Sequence, residues 1–333
     1  MKKYEKIYSE IIEKIDIDEY KLGDSIPSEN ELSSKFSISR VTVRKALTEL
    51  EKNGYIHKQQ GKESIVISKV SKPRTVLLIL PNLFKYIFID LIKGIEDTLR
   101  AEGIGLLIAC SYNDQRIERS IIRNYLSVVD GIILEPTQAN NASYSKSKTY
   151  SSLETIPTVC INSQLIDFEI PYLVLDDRKN MQKLTKHVFD SGCKRILILS
   201  KTDDLQGYSR LTGIKDVLKD SNALYKIVEF TTHDETQKLA EFAMLYMHFK
   251  PDCIMFYNDE YAYRMITNYN INPIFDDVLV TGYDDTEYSN GKPFNFMSPP
   301  HPKGQMGQDA AKMIIDLLSG NTVESITYES KFS

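Results

Sequence analysis

In the stretch "SISRVTVRKALTELEKNGYI", Ser37 to Ile56, the apolar residues Val43, Ala46, Leu47 and Leu50 recur at helical spacing, so one face of a short helix is apolar. Arg40, Arg44, Lys45 and Thr48 fall on its other faces. Just upstream, "PSENEL" opens with Ser28 and carries Glu31 three residues on, the pattern of a capping box, and the helix it starts turns Leu32 and Phe36 inward. Ser39 then caps the next helix and Asn53-Gly54 ends it. After Gly54, "YIHKQQGKESIVI" reads as two short strands around a glycine-containing turn. Helix, tight turn, helix and hairpin predict a winged helix-turn-helix over residues 1–68.

The pattern changes after a polar, basic stretch, "VISKVSKPR", whose residues 69–74 read as a linker. From residue 75 to 333 the periodicity alternates. "TVLLILP" is an apolar strand and "FIDLIKGIEDTLRAEG" a helix ended by Gly103. "GLLIAC", "DGIILEP", "TVCIN", "YLVLDD", "RILILS", "CIMFYN" and "DVLVTGYDD" are further strands. The helices among them include "DQRIERSIIRNYLSVV", "MQKLTKHVFDSG" and "GYSRLTGIKDVLKD". Near-continuous apolar strands separated by amphipathic helices predict parallel sheets covered on both faces. Two such halves leave a cleft at the carboxyl ends of the strands, where ligands of open α/β sheets bind.

Charge changes the reading of the first domain. The chain carries a net charge of -5, which argues against nucleic acid only if spread evenly. Residues 5 to 31 hold nine Asp/Glu against three Lys/Arg, whereas residues 35 to 62 hold seven Lys/Arg against two Glu. By charge alone this reversal fits either a solvated helix face or a DNA-binding surface. The helix-turn-helix placement decides for the second helix entering a major groove. No apolar run reaches the ~18 residues of a membrane span, and "MKKYEKIYSEIIEK" reads as an amphipathic helix rather than a signal peptide. The scattered Cys110, Cys160, Cys193 and Cys253 form no CxxC pair and sit in or beside apolar runs, so the expected compartment is the reducing cytoplasm.

Polar residues cluster just beyond the predicted strand ends. They are Glu135 in "LEPT", Asn162 in "CINS", Lys201 and Gln206 in "SKTDDLQG" with Arg210 beyond, Asn258 and Asp259 in "YNDE", and Asp284 in "GYDD". Any one of them could be a helix cap or a surface loop residue. Together they suit a small polyol, because each hydroxyl both donates and accepts, and Asp, Asn and Arg pair with adjacent hydroxyls in a planar way. Tyr86, Phe88, Tyr257 and Tyr283 are candidates to cover the apolar face of a sugar ring.

The stretch "SIPSENELSSKFSISRVTVRKALTELEKNGYIHKQQGK" resembles the DNA-binding domain of GntR-type bacterial regulators. That resemblance implies base or phosphate contacts from Arg40, Thr42, Arg44 and Lys45, wing contacts from Gln60, Gly61 and Lys62, and backbone contacts from Tyr4 and Ser28. Glu63 stands where that family usually has a second glycine, and a carboxylate there faces phosphate repulsion. The segments "FIDLIKGIEDTLRAEGIGLLI", "VDGIILEP", "FYNDEYA" and "VTGYDDTEYS" resemble the LacI/GalR-type effector domain, itself similar to periplasmic sugar-binding proteins. A GntR-type head on a LacI-type body is the architecture of the L-arabinose-responsive repressors, which "KTDDLQGYSRLTG" and "HPKGQMGQDAAK" also resemble. The resemblance places Arg210, Asn258 and Asp284 at the positions that grip sugar hydroxyls. It adds Lys201, Gln206, Glu135, Asn162 and Tyr86 as further ligand contacts.

Enzyme signatures are missing: the chain has no GxxxxGK[ST], HExxH or GxSxG, and its five histidines show no metal-ligand spacing. His301, in "PPHPK", reads as a structural or pocket-rim residue rather than a base. Of Asp176-Asp177 and Asp284-Asp285, one Asp in each pair caps a strand end and the other faces ligand. The expectation is a homodimeric repressor without cofactor or metal, whose partners are operator DNA and a small sugar, L-arabinose first. The alternatives are another pentose or small polar effector, or an enzyme acting on a sugar.

Overall fold

A computed structural model of the 333-residue chain describes residues 3–58, 63–68, 74–83, 87–137, 148–269, 271, 277–288 and 296–330. It divides into two compact units, Met1–Arg74 and Thr75–Ser333. The first holds α1 (Lys3–Asp16), α2 (Glu29–Phe36), α3 (Arg40–Lys52) and the antiparallel strands β1 (Ile56–His57) and β2 (Ile65–Val66). Ile7, Ile11 and Ile15, each four residues apart, share one face of α1 and are buried with Val43, Ala46, Leu47 and Leu50 of α3.

Both arms of the capping box form: Glu31 N–H donates to Ser28 Oγ at 3.3 Å and Ser28 N–H to Glu31 Oε2 at 2.8 Å. Ser39 Oγ accepts from Thr42 N–H at 3.4 Å at the start of α3. Helix α3 stops where Gly54 adopts a φ of +76°, open to glycine without a Cβ clash. Gly54 N–H then reaches Glu51 O and Tyr55 N–H reaches Leu50 O, both at 3.0 Å, which satisfies the end carbonyls and folds Tyr55 onto the core. The turn between β1 and β2, with Gln60, Gly61 and Lys62, lies outside the described residues, as do most of the linker and Tyr86.

The second unit has two lobes. The first is built from β3 (Thr75–Leu80), α4 (Ile87–Ala101), β4 (Gly105–Cys110), α5 (Gln115–Tyr125), β5 (Gly131–Leu134), α6 (Lys148–Ser151), β6 (Thr158–Ile161) and β7 (Tyr172–Leu175). The other follows as α7 (Asp177–Asp190), β8 (Arg195–Lys201), α8 (Leu205–Leu218), β9 (Leu224–Phe230), α9 (Glu235–Phe249), β10 (Cys253–Phe256), α10 (Asp259–Asn268), β11 (Leu279–Thr281) and β12 (Phe296–Met297). Then α11 (Lys303–Leu318) and β13 (Ile326–Tyr328) return to the first lobe. The sheets run β13-β7-β6-β5-β3-β4 and β12-β11-β10-β8-β9, with every pairing parallel. Their central strands are buried on both faces, as the unbroken apolar runs require.

Strand β9 and helix α9 were not part of the alternation read from the sequence. The reason is physical. β9 is an edge strand with Leu224 and Tyr225 exposed, and α9 carries the exposed Met244 and Met247, so neither has a clean apolar-in, polar-out period.

Helices α4 and α11 approach closely through glycines. A Cβ on Gly307 would lie 2.2 Å from Leu91 O, and one on Gly94 2.4 Å from Gly304 O. Gly307→Ala should therefore destabilise the second unit by about 1–3 kcal/mol in spite of alanine's better helix propensity. Urea denaturation of the two proteins checks this, and an unchanged midpoint would mean the helices separate without cost.

Candidate functional site

The strand ends of both lobes converge on a cavity of about 380 Å³. The first lobe supplies Glu135 and Asn162, the second Lys201, Gln206, Arg210 and Asn258, and the segment that leads back to the first supplies Asp284. All seven were singled out in the sequence, and the fold brings them together. Phe88 and Tyr257 also line the cavity.

Arg210 is the centre of this arrangement. It points inward from α8, and its side chain is 7% exposed. Its Nε donates to Asp177 Oδ1 at 3.0 Å, its Nη1 to Tyr257 O at 3.1 Å, and its Nη2 lies 3.5 Å from Asp284 Oδ1. The guanidinium carbon stacks 3.7 Å from the Tyr283 ring centroid. Burial works against the charge, but Asp177 and then Asp284 outweigh it and raise the Arg210 pKa well above its usual value. Asp284 holds a φ of +94°, a left-handed backbone that a non-glycine residue adopts only where its surroundings enforce it. A parallel bridge to Pro300 and the bond from its N–H to Pro299 O, 3.0 Å, fix that backbone.

Asn162 forms a second node. It sits just after β6 with a φ of +57°; its Nδ2 donates to Glu135 Oε2 at 2.7 Å, and its O accepts from Gln206 Nε2 at 2.7 Å. The last bond ties the first lobe to α8 of the second. His301 Nε2 lies 3.3 Å from Asn162 Oδ1. Lys201 contacts Asp203 and lies 3.0 Å from Asp204 Oδ2. Desolvation opposes its charge, yet Asp204 and Asp203 prevail and raise its pKa.

Some sequence assignments change. Asp259 does not reach the cavity: it is fully buried and accepts from Thr286 N–H at 2.8 Å, Thr286 Oγ1 at 3.0 Å and Ser298 Oγ at 2.7 Å. Tyr283 is buried beneath Arg210 and accepts from Asn180 Nδ2 at 3.0 Å, so it supports the guanidinium rather than covering a ring. Asp176 caps α7 and Asp177 faces the cavity. Asp204 and Arg264 are among the lining residues that went unassigned. Asp204 receives the Tyr257 hydroxyl at 3.0 Å, and its signal was its place before "LQG" as the cap of α8. Arg264 of α10 pairs with Glu235 at 2.7 Å on the far wall, and nothing local marks that pair.

In the first unit, Arg40, Arg44 and Lys45 are exposed on α3, and Thr42 is half-buried with its Oγ1 2.9 Å from Ser39 Oγ. Arg44 donates to Glu29 from Nε at 3.0 Å and from Nη2 at 2.8 Å. Lys45 Nζ lies 4.5 Å from the Tyr4 ring centroid. The Ser28 hydroxyl lies 2.8 Å from Glu31 Oε2, so it is already engaged in the cap. Val41, beside Arg40, is 76% exposed, an apolar residue on the polar face that charge counting passes over.

A winged helix with a cationic α3, carried on a two-lobed α/β body with a polar cleft, defines a ligand-responsive DNA-binding regulator. The profile of bacterial regulatory proteins of the gntR family matches residues 3–66, and that of periplasmic binding proteins and the sugar-binding domain of the LacI family matches residues 73–283. The chain is 30% identical over 340 residues to an arabinose metabolism transcriptional repressor of Geobacillus stearothermophilus, covering 97% of this chain and 93% of the relative. It is 32% identical over 360 residues to the repressor of the same description from Halalkalibacterium halodurans, covering 98% and 93%. The crystal structure of the Cra transcriptional dual regulator from Pseudomonas putida, in complex with fructose 1-phosphate, shares the fold at a TM-score of 0.68 and 17% identity, covering 78% of this chain and 98% of that one. The chain belongs to the family of transcriptional repressors that join a gntR-type head to a LacI-type sugar-binding domain.

Burial pushes the His301 pKa from 6.5 down to about 4. The unfolded chain therefore binds more protons between those values, and the His301 contribution to stability, complete above pH 6.5, is lost as pH falls toward 4. Asp259, raised by burial to about 6, acts in the opposite sense over much of the same range, so the test is a difference. From pH 7 to pH 4, His301→Gln should gain about 3 kcal/mol of stability relative to wild type. Urea titrations across this range read it; a pH-independent difference would mean that His301 titrates normally.

Proposed function

We propose that this repressor binds its operator as a homodimer in the cytoplasm and releases it when L-arabinose occupies the cleft. The observation that carries the ligand class is the Arg210 cluster, where a fork of donors lies between Asp177 and Asp284 beside Asn258. Such a set pairs with adjacent hydroxyls of a sugar. Among the described lining residues, the carboxylates Glu135, Asp177, Asp204, Glu235, Glu260 and Asp284 outnumber Lys201, Arg210 and Arg264. That balance favours a neutral sugar over a sugar phosphate. The two arabinose metabolism repressors, similar over nearly their whole length, support arabinose in particular.

In this reading α3 enters the major groove. Arg40, Arg44 and Lys45 meet bases or phosphates, Thr42 and Val41 face base edges, and Tyr4, Ser28 and the wing residues Gln60, Gly61 and Lys62 meet the backbone. Residues 69–74 link head to body. A ligand that touches Glu135 and Asn162 on one lobe and Lys201, Gln206, Arg210 and Asn258 on the other stabilises one arrangement of lobes, and so one spacing of the paired heads. By linkage, sugar weakens DNA binding by the same factor that DNA weakens sugar binding.

Operator release measured against sugar concentration tests the proposal. Asp284→Ala should bind operator as wild type does but resist release by L-arabinose, because the loss of one partner in a desolvated cleft costs sugar binding about 2 kcal/mol or more. If wild type ignores arabinose while another sugar releases it, the ligand assignment falls. Indifference of both proteins to every sugar removes the effector role.

Arg44→Ala should weaken operator binding roughly tenfold to a hundredfold and narrow the gap between operator and random DNA. Gel-shift titration at fixed salt measures both. Unchanged operator affinity would displace α3 from the groove.

A further inference from the structure

Two cysteines meet at the amino ends of β8 and β10, the strand ends away from the cleft. Cys253 is the first residue of β10 and is fully buried, whereas Cys193 lies just ahead of β8, half-buried in the turn after α7. That turn is pinned beside β10, because Asp252 accepts from Lys194 N–H at 2.8 Å and from Arg195 N–H at 2.9 Å. Cys193 packs on the apolar cluster that contains Cys253. The Cys253 S–H donates to the Cys193 sulfur, which in turn lies 3.9 Å from Asp252 O.

The two thiols are unequal. The S–H donated by Cys253 favours a thiolate on Cys193 and lowers its pKa, against burial and the Asp252 charge. Burial holds Cys253 well above the usual thiol range. Since the thiolate is the nucleophile, Cys193 is the sulfur that attacks first. Its neighbours Gly192 and Lys194 are exposed, so a small solute reaches Cys193 from solvent, and Cys253 has only to meet Cys193. The other lobe offers the contrast. Cys110 is half-buried on β4 with its Sγ 3.4 Å from Pro81 O, and Cys160 is buried on β6. Strands β3 and β5 lie between them, at about 4.8 Å per step, so neither has a second thiol in reach.

We propose that Cys193 and Cys253 form a peroxide-reactive dithiol that closes to an intramolecular disulfide. The Cys193 thiolate attacks one oxygen of hydrogen peroxide. The O–O bond breaks, an S–OH forms on Cys193, and the other oxygen leaves as hydroxide and takes up a proton. The Cys253 sulfur then attacks the Cys193 sulfur; the S–OH bond breaks, the S–S bond forms, and the departing hydroxide carries off the Cys253 proton as water. Two thiols are oxidised to one disulfide, and hydrogen peroxide is reduced to two waters. In a reducing compartment such a bond is transient and is reversed by thiols. It closes a loop of about 60 residues that carries α8 and Arg210. Neither sulfur lines the cavity, so the modification is separate from the sugar contacts.

The test treats full-length protein with hydrogen peroxide, alkylates the remaining thiols and maps the peptides by mass spectrometry. Wild type should yield one cross-link, Cys193 to Cys253 within one chain, with Cys110 and Cys160 still alkylated, and dithiothreitol should restore all four thiols. Cys193 should react roughly tenfold or more faster than Cys110. In Cys253→Ala, Cys193 should stop at the sulfenic acid, captured by dimedone. In Cys193→Ser, the second variant, Cys253 should stay reduced because peroxide does not reach it. Unaltered operator affinity before oxidation certifies the fold of each. The proposal is overturned if Cys193 and Cys110 oxidise at the same rate without a cross-link, or if the cross-link joins two chains. Oxidation of Cys253 in Cys193→Ser at the wild-type rate overturns it as well.

Discussion

A guanidinium buried between two carboxylates governs the body of this repressor. Removing a charge of that kind from water is costly, and only close, well-oriented counter-charges offset it. Arg210 finds Asp177 at the start of α7, Asp284 on the segment after β11, the Tyr257 carbonyl after β10 and the Tyr283 ring beneath it. Three stretches of chain distant in sequence, around Asp177, Tyr257 and Tyr283-Asp284, must be in place before the charge is tolerated. The same arrangement leaves polar atoms directed into a cleft, so the constraint that holds the second lobe's strand ends together also prepares a surface for a hydroxyl-rich ligand.

The second node, Asn162, does for the first lobe what Arg210 does for the other. Its left-handed backbone turns the chain after β6, and its side chain and carbonyl reach Glu135, His301 and Gln206. The bond from Gln206 crosses the cleft. A ligand inserted beside it exchanges contacts with both lobes at once, which is the differential interaction that a conformational response requires. Crossings of the chain between lobes, after Leu175 and after Met297, lie next to these two nodes.

The head depends less on distant contacts. Its core is one face each of α1 and α3 closed by Tyr55, Ile56 and Val66, and its helix ends are set by Ser28, Glu31, Ser39 and Gly54, all within a few residues of what they cap. The ion pair between Arg44 and Glu29 crosses from α3 to α2 and holds the guanidinium in one orientation on an exposed face. Such a pair adds little to stability in water, and its value lies in orientation.

The sequence by itself determined what local rules can carry. The caps of α2 and α3, the wing strands, the alternation of apolar strands with amphipathic helices, and the placement of Glu135, Asn162, Lys201, Gln206, Arg210, Asn258 and Asp284 beyond strand ends all follow from period and neighbouring residues. Tertiary structure decided the rest, because burial and partnership are set by chains that meet only when folded. Nothing in "PPHPK" says that His301 is buried against Asn162. Nothing in "YNDE" separates Asn258, on the cavity, from Asp259, which is enclosed by Thr286 and Ser298. Nothing in "DQRIERSIIRNY" marks Glu118 for the interior; the fold buries it and gives it the Thr137 N–H at 2.6 Å and the Tyr150 hydroxyl. A residue's type limits which bonds it can make, but only the packed neighbours decide which are left for a ligand.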